Sequence, residues 1–202
     1  IAGMMNQKIR GIRILRTIYY LPNVVSIVAV SMLWYFIFQS NGVLNMLLGA
    51  VGIQGPNWLS DPAWAKNALI LMNCWNAGGS MVIYLAGLQG IPRSYYEAAE
   101  VDGAGALRKF FSITLPLLSP SIFYNLIIGI IGALQTFSTA LVMTDGGPVN
   151  STTFYVLTLY RRAFEDMRMG YASAMAWVLM VVTLLLTLVV FWIGNKKVYY
   201  EQ

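Results

Sequence analysis

The chain has 202 residues, of which 58% are hydrophobic and 10% are charged, whereas an ordinary soluble domain carries roughly 25% charged residues. A soluble domain of this length cannot bury so much apolar surface in one core, so lipid must solvate much of the chain. The net charge of +5 does not indicate nucleic-acid binding, because the Lys and Arg residues form short clusters beside apolar runs, and the absence of histidine excludes imidazole metal sites and imidazole acid–base catalysis.

Four apolar segments are each long enough to cross the core of a bilayer, which takes about 20 residues in a helix. They cover residues 18–38, 68–88, 121–143 and 172–194, and none of them contains a charged residue. A shorter apolar piece, 43–53, is expected to form a short helix or to lie in the membrane interface. The sequence therefore predicts an all-α fold, a polytopic membrane helix bundle.

The N-terminal part of the sequence supports two further expectations. It begins with Ile1 rather than Met, on a basic stretch without the apolar region of a signal peptide, so we expect the chain to be truncated at its N-terminus. Pro22 lies close to the start of the first apolar segment. We expect it in the first turn of that helix, where the missing N–H of proline costs little.

The positive charges are distributed unequally between the loops. Nine of the 13 Lys and Arg residues lie beside the apolar segments on one side of the predicted membrane; these are Lys8, Arg10, Arg13, Arg16, Arg93, Arg108, Lys109, Lys196 and Lys197. The positive-inside rule assigns this side to the cytoplasm. We therefore expect the loop 90–117 and the C-terminus to be cytoplasmic.

The loop 90–117 has a recognisable local pattern. Ser94 followed by Glu97 has the spacing of a capping box, which predicts a helix that begins directly after Ser94. Gly103 is predicted to interrupt that helix, and Pro116 to end a second one. The pattern predicts a helix–turn–helix along the cytoplasmic membrane face, which is compatible both with an ordinary interhelical loop and with a docking surface for a partner.

Residues of this loop also match a known motif. The matching positions are Glu97, Ala98, Ala99, Gly103, Ile113, Leu115 and Pro116, with Asp102, Ala104 and Phe110 in the longer form of the motif. At this spacing they resemble the EAA motif of the permease subunits of ABC importers. Further stretches, among them 85–89 and 144–152, are similar to the carbohydrate branch of that family, which includes the maltose and glycerol-phosphate permeases. The resemblance covers nearly the whole chain.

The resemblance implies that residues 1–202 form the transmembrane domain of an ABC type I importer, with four spans seen of the usual six. It implies that 90–117 is a coupling loop that inserts into a cytoplasmic ATPase dimer. The residues expected to make this coupling are Glu97, Ala98, Ala99, Asp102 and Gly103. Glu97 would contact the ATPase, and Gly103 would form the turn. Since the sequence has no Gly-x-x-x-x-Gly-Lys-Ser/Thr loop, ATP and Mg are expected on the ATPase, with no cofactor or metal on this chain.

The resemblance also implies a location and further partners. The expected location is the cytoplasmic (inner) membrane of a bacterium or archaeon. The expected partners are a second permease subunit, an extracytoplasmic solute-binding protein and membrane lipid, and no nucleic acid is expected. Five charged residues near the outer end of the last span either contact that binding protein or form a solvated face; these are Arg161, Arg162, Glu165, Asp166 and Arg168.

A sugar pathway needs hydrogen-bonding side chains and aromatic faces inside the membrane, where polar residues are costly. The candidates are Asn73, Trp75 and Asn76 in the second segment, and Gln135 and Thr136 in the third. Hydrogen bonding between helices explains the same residues equally well. The absence of basic residues from the four segments favours a neutral sugar, which the sequence does not identify further.

The charge-free segments also bear on other classes of function. A secondary transporter or a channel would need ionisable residues in its spans or charged rings near a pore. A membrane-embedded enzyme would need a catalytic constellation, and the chain has no His, one Cys and no cluster of carboxylates in a segment. The sequence therefore predicts a permease subunit without catalysis of its own, with a secondary transporter or channel as the alternative.

Overall fold

The computed structural model describes residues 1–6 and 11–194. Thirteen α-helices and two π-helical segments occur in these residues, and no β-strand occurs among them, so the all-α prediction is confirmed. The α-helices are α1 (Ala2–Met5), α2 (Ile12–Val24), α3 (Ile27–Ile37), α4 (Val43–Ala50), α5 (Pro62–Trp75), α6 (Gly78–Gly90), α7 (Arg93–Val101), α8 (Ala106–Lys109), α9 (Leu115–Leu117), α10 (Ser119–Leu134), α11 (Ser138–Met143), α12 (Tyr155–Tyr160) and α13 (Met169–Gly194). The π-helical segments are Phe110–Thr114 and Arg161–Glu165. Lys8, Arg10, Lys196, Lys197 and the C-terminus, which the charge pattern assigned to the cytoplasm, lie outside the described residues.

Helix α13 is the one helix of the described chain that is by itself long and apolar enough to cross a membrane. Up to four spans result if each of three bent pairs counts as one span: α2 with α3, α5 with α6, and the helical run 106–117 with α10. The bends measure 103°, 44° and 64°, respectively. The third apolar segment, 121–143, is itself divided between α10 and α11. The first three apolar segments are thus broken, and only the last is one uninterrupted helix.

The sharpest bend lies between α2 and α3, where Val25 has an extended backbone (φ −82°, ψ 144°). The expectation that Pro22 lies in a first helical turn is wrong, because α2 begins at Ile12 and contains Pro22 near its end. Pro22 has no N–H to donate to the carbonyl of Ile18, and its ring crowds that carbonyl. The helix consequently ends two residues later, at Val24.

The two parts of the first segment pack against different neighbours. Helix α2 packs against α6, whereas α3 packs against α11. The largest hydrophobic core lies at the α3 end and is formed by Val30, Phe38, Trp58, Ala68, Leu69, Met72 and Met143. The side chains of α3 in this core are buried against α5, α11 and the loop that carries Trp58, which keeps α3 at its angle to α2. The bend is therefore maintained by packing as well as by Pro22.

The breaks in the first two segments meet at a pair of glycines. A Cβ atom at Gly78 would overlap the carbonyl oxygen of Tyr19 and would lie 2.6 Å from Nδ2 of Asn23. A Cβ atom at Gly79 would lie 3.1 Å from Oδ1 of Asn23. Glycine at these two positions lets the backbone of α6 touch α2 directly, as small residues do where membrane helices approach closely.

Candidate functional site

The first helix of the loop 90–117, α7, begins earlier than the sequence predicts. Pro92 is its N-cap, with φ −60° and ψ 138°, and no side chain donates or accepts a capping hydrogen bond. The predicted capping box of Ser94 and Glu97 is therefore wrong. Pro92 fixes the extended backbone that precedes the helix, so Ser94 already lies inside the first turn and is not at the capping position.

Gly103 forms the turn that ends α7. It has a φ of +72°, in the left-handed region that glycine adopts without steric cost. Its N–H donates to the carbonyl of Glu100 at 3.0 Å, and the N–H of Ala104 donates to the carbonyl of Ala99 at 2.8 Å. These bonds satisfy carbonyls at the end of α7, as is usual where a helix stops at a left-handed glycine.

The second helical run of the loop continues through Pro116, so the expectation that Pro116 ends this helix is also wrong. The run passes from α8 through the π-helical segment Phe110–Thr114 into α9, and it ends at Leu118. The N–H of Leu115 donates to the carbonyl of Phe110, five residues earlier. This wider turn changes the backbone pairing just before the proline, which is how a helix accommodates a residue without an N–H.

Two side-chain contacts join the two helical runs of the loop. The hydroxyl groups of Tyr96 and Thr114 are 2.9 Å apart and share a hydrogen bond, and Thr114 is buried. Nζ of Lys109 lies 2.8 Å from Oε1 of Glu100. We refer to residues 93–117, joined by these contacts, as the loop helix pair, because the contacts make the two runs one unit.

The loop helix pair exposes both the motif residues and large apolar side chains. Glu97, Ala98, Asp102 and Gly103 are exposed and Ala99 is half-buried. The carboxylate of Glu97 makes no ion pair or hydrogen bond with the described residues. Val101, Leu107 and Phe111 are 89%, 77% and 62% exposed. Apolar groups this exposed, beside an unpaired carboxylate, are typical of a surface that binds another protein.

The candidate pathway residues of the second segment lie at the break between α5 and α6. Asn73 donates from Nδ2 to the carbonyl of Leu69 in its own helix, at 2.9 Å. The ring of Trp75 is in T-shaped contact with Trp34, at a centroid distance of 5.7 Å. Asn76 follows the last residue of α5, and its Oδ1 is buried without a hydrogen-bond partner among the described residues. Asn73 therefore bonds within its own helix, while Asn76 has an unused acceptor.

The candidates of the third segment lie at the break between α10 and α11. Thr136 donates to the carbonyl of Ala133 at 3.1 Å. Gln135 is exposed and lines a groove of about 440 Å³ together with Thr183 and Thr187 of α13. Within the described chain, no hydrogen bond or ring contact joins these residues to Trp75 or Asn76.

Three residues near the candidates were missed by the sequence analysis: Trp34, Thr183 and Thr187. Nε1 of Trp34 is buried without a partner among the described residues. Thr183 and Thr187 each donate to a carbonyl of α13 four residues earlier. Their spacing of four residues in an otherwise apolar helix was a readable signal, because it places both hydroxyl groups on one helix face. Trp34 gave no such signal, since a tryptophan in an apolar run is ordinary.

The charged residues at the opposite end of the molecule are largely paired with one another. Nη2 of Arg161 lies 2.9 Å from Oδ1 of Asp145 and 2.7 Å from the carbonyl oxygen of the same residue. Arg162 is paired with Asp166 at 2.6 Å. The loop that carries Asp145 is further held by the hydroxyl of Thr152, which donates to the carbonyl of Gly147 at 2.7 Å. This surface is therefore an ordered one, on which most charges already have partners.

Comparisons with known proteins agree on one family. The model of the family described as "Binding-protein-dependent transport system inner membrane component" matches residues 1–196. The chain is 47% identical over 206 residues to the probable ABC transporter permease protein YesP of Bacillus subtilis (strain 168), covering 100% of this chain and 67% of that protein. It is 45% identical to the sulfoquinovosyl glycerol transport system permease protein SmoG of Agrobacterium fabrum, covering 77% of this chain and 51% of the relative.

The fold is similar to that of a solved bacterial ABC transporter involved in the import of the acidic polysaccharide alginate. The TM-score is 0.86 at 30% identity, covering 96% of this chain and 70% of the other. In a second structure, with an alginate pentasaccharide-bound periplasmic protein, the TM-score is 0.83 at 30% identity, covering 94% of this chain and 67% of the other.

These similarities confirm the resemblance that was stated from the EAA motif and the type of fold that it implied. They give no support to a secondary transporter or channel. The chain belongs to the family of inner membrane components of binding-protein-dependent transport systems, and both relatives named above are transport permease proteins.

Proposed function

We propose that this chain forms part of the transmembrane pathway of an ABC importer for a neutral sugar or related carbohydrate, and couples that pathway to a separate ATPase. The observation that carries the proposal is the loop helix pair. It is held together by its own side chains, and it exposes Glu97 beside large apolar groups. A stiff, exposed and partly apolar helix pair suits a contact that must transmit movement from one protein to another.

The loop helix pair would bind a cytoplasmic ATPase dimer that holds ATP and Mg. Glu97 would supply a charged contact to the ATPase, and Ala98 and Ala99 would allow close approach of the two backbones. Gly103 and Asp102, at the turn, would set the angle between the two helical runs. The chain lacks a Gly-x-x-x-x-Gly-Lys-Ser/Thr loop of its own, which supports the placement of ATP hydrolysis on the partner.

The opposite end of the molecule would face outward and receive the solute-binding protein. Three of the basic residues in the described chain, Arg93, Arg108 and Lys109, lie in the loop helix pair, which supports a cytoplasmic position for this loop. The ordered surface around Asp145 and Arg161 would then be extracytoplasmic. A second permease subunit would cover part of the apolar outer surface, where side chains such as Trp177 of α13 are 65% exposed.

The solute would pass near the helix breaks. Breaks free backbone and side-chain polar groups inside the membrane, and such groups are tolerated where they are buried in protein or line a cavity. Trp75 and Asn76 lie at one break, and Gln135 and Thr136 at another. Amide and hydroxyl groups with an aromatic ring suit sugar hydroxyl groups, and the absence of basic residues from these segments favours an uncharged solute over an anion.

The test is uptake by the complete importer in proteoliposomes, with the second permease subunit, the ATPase and the binding protein present. Glu97→Ala removes the charged contact, and Gly103→Pro prevents the left-handed turn. Each is expected to lower both uptake and solute-stimulated ATP hydrolysis by about tenfold or more, the scale of losing a charged interface contact. Ser94→Ala, in the same helix without a capping role, is the control and should behave as the parent. Parent-like uptake and stimulation in both Glu97→Ala and Gly103→Pro would overturn the coupling role.

A further inference from the structure

A small polar cavity lies between the end of α3 and the loop that precedes α5. Its volume is about 260 Å³, and the side chains that face it include Tyr35, Gln39, Asn41, Asn57 and Ser60. In the proposed orientation the first apolar segment runs outward from the cytoplasm, so this end of α3 is extracytoplasmic. Among the described residues, no Lys, Arg, Asp or Glu lines the cavity.

The floor and walls of the cavity are held in place by Asn45. Its Nδ2 donates to the carbonyl oxygens of Ser40 at 3.1 Å and of Pro56 at 3.2 Å. Its Oδ1 accepts from Nε1 of Trp58 at 2.8 Å. Trp58 and Phe38 are 8% and 1% exposed and belong to the hydrophobic core. The backbone segments on both sides of the cavity are therefore anchored, which fixes the cavity before any ligand arrives.

The polar side chains that line the cavity are exposed to solvent and make few hydrogen bonds within the described chain. Within the described chain, the side chains of Gln39, Asn41 and Ser60 make no hydrogen bond to another residue. The side chain of Asn57 is bonded only through Oδ1, which accepts from Ser40 at 3.1 Å, so its Nδ2 remains free to donate. The cavity thus offers several donors and acceptors on a fixed frame, with the ring of Tyr35 at its edge.

We infer that this cavity is a subsite for one ring of a neutral sugar at the extracytoplasmic entrance of the pathway, an assignment that rests on the proposed function. Each sugar hydroxyl both donates and accepts a hydrogen bond, so amide and hydroxyl side chains can pair with it fully. The volume is a little below the roughly 300 Å³ at which sites for drug-sized ligands begin, which suits a single ring. Asp61 is the nearest acidic residue along the chain. Its Oδ1 accepts a hydrogen bond from the N–H of Ala63 at 2.9 Å and caps α5, so this oxygen is already engaged.

The uncharged lining distinguishes this cavity from the surface around Asp145 and Arg161, which is also extracytoplasmic in the proposed orientation. Directly after α12, ionic side chains pair with one another, such as Arg162 with Asp166. A surface of that kind suits contact with a charged protein, whereas uncharged amides with free hydrogen-bonding capacity suit an uncharged, hydroxyl-rich ligand. An anionic sugar would be left without a cationic partner here.

Protection of an introduced thiol tests the subsite in the complete importer, reconstituted in lipid nanodiscs. Cys74 is the natural cysteine and is exposed, so it is first replaced by Cys74→Ala. In that background, Asn41→Cys places a thiol in the cavity, and Gln54→Cys places one outside it, on the loop that precedes α5. The rate of maleimide labelling is measured with lactose, maltose or sucrose, with alginate pentasaccharide, and with the sugar-free binding protein. A transported neutral sugar is expected to slow labelling at Asn41→Cys severalfold, without an effect at Gln54→Cys.

Uptake by the same importer separates failure of the subsite from failure of the proposed function. If a neutral sugar is transported but leaves labelling at Asn41→Cys unchanged, the subsite is overturned while the importer function stands. Protection by the binding protein alone makes the cavity a protein contact and overturns the subsite as well, and stronger protection by alginate pentasaccharide overturns its preference for neutral rings. If none of the sugars is taken up or stimulates ATP hydrolysis, and none protects, the proposed function fails together with the subsite.

Transport kinetics give a second, independent measurement. Gln39→Ala and Asn41→Ala each remove one side chain from the cavity and leave the Asn45 frame intact. Each is expected to raise the KM for uptake about two- to tenfold, the scale of one neutral hydrogen bond, with little change in the maximal rate. An unchanged KM in both variants contradicts the assignment.

Discussion

At the scale of single residues, Asn45 joins the loop before α4 to the loop after it. Asn45→Ala removes three hydrogen bonds and leaves Nε1 of Trp58 buried without an acceptor. The cost of such an unsatisfied group is about 1–3 kcal/mol, so we expect the free energy of unfolding to fall by that amount. Thermal unfolding in detergent, followed by tryptophan fluorescence, measures the loss. Asn67→Ala is the matched control, because Asn67 bonds only to its own helix, at Ala63. Equal stability of the two variants would show that the Asn45 bonds contribute nothing net.

Gly78 has a different role, since its importance lies in the side chain that it lacks. In Gly78→Ala the added Cβ would overlap the carbonyl oxygen of Tyr19, so α6 and α2 would have to separate. We expect a loss of about 1–3 kcal/mol, the usual cost of overpacking. Gly90→Ala lies in the same helix, and a Cβ there meets nothing within 4 Å. It should be neutral or should stabilise the helix by up to about 1 kcal/mol. Thermal unfolding of the two variants measures both changes in stability. A Gly78→Ala protein as stable as Gly90→Ala would contradict the close contact between α6 and α2.

At the scale of elements, the contacts inside the loop helix pair differ in strength. Tyr96→Phe removes the hydrogen bond to the buried Thr114, and we expect amide exchange in α7 to rise about two- to tenfold. Glu100→Gln breaks an ion pair whose glutamate side chain is 63% exposed, and pairs of this kind contribute about 0.2–1 kcal/mol. Its effect on exchange should therefore be the smaller one. Hydrogen exchange followed by mass spectrometry over 93–109 measures both, and a larger effect of Glu100→Gln would reverse this ranking.

The sequence located the elements better than it predicted their directions. An apolar run such as 18–38 has the same composition whether it is straight or bent, so the 103° bend between α2 and α3 was not readable. It depends on α2 packing against α6 and α3 packing against α11, which are contacts between distant parts of the chain. Local signals also competed: Pro92 defines the start of α7 in place of Ser94, and a π-helical turn carries the chain through Pro116.

The two groups of candidate residues were predicted from two different kinds of sequence signal. The proposed coupling residues between Glu97 and Gly103 were predicted from a motif, in which residue types at fixed spacing carry the information. The pathway residues were chosen because polar groups are rare in apolar segments. That reasoning found Asn76 and Gln135, which lie at helix breaks, and also Asn73, which bonds within its own helix. It could not find the cavity beside Asn41, because the cavity depends on how Asn45 joins two loops.

At the scale of the whole molecule, the orientation in the membrane is open to a direct test. In a Cys74→Ala background, Ser94→Cys and Asn150→Cys each place a thiol at an exposed position. In the proposed topology these two positions lie on opposite sides of the membrane. In the proposed topology, which follows from the clustering of basic residues near Ser94, that end is cytoplasmic. We expect a membrane-impermeant maleimide to label Asn150→Cys in intact cells, and Ser94→Cys only after the cells are permeabilised. The reverse pattern would invert the proposed topology.

The charge-free stretches of the chain have an electrical consequence. Residues 17–60, 67–92, 110–144 and 169–194 contain no Asp, Glu, Lys or Arg. Moving one elementary charge through a membrane potential of 100 mV is worth about 2.3 kcal/mol, but these helices carry no such charge when they rearrange. The side chains of these four stretches therefore contribute no gating charge. If the proposed importer carries an uncharged solute, we expect its uptake rate to be unchanged when the membrane is depolarised with ATP still supplied.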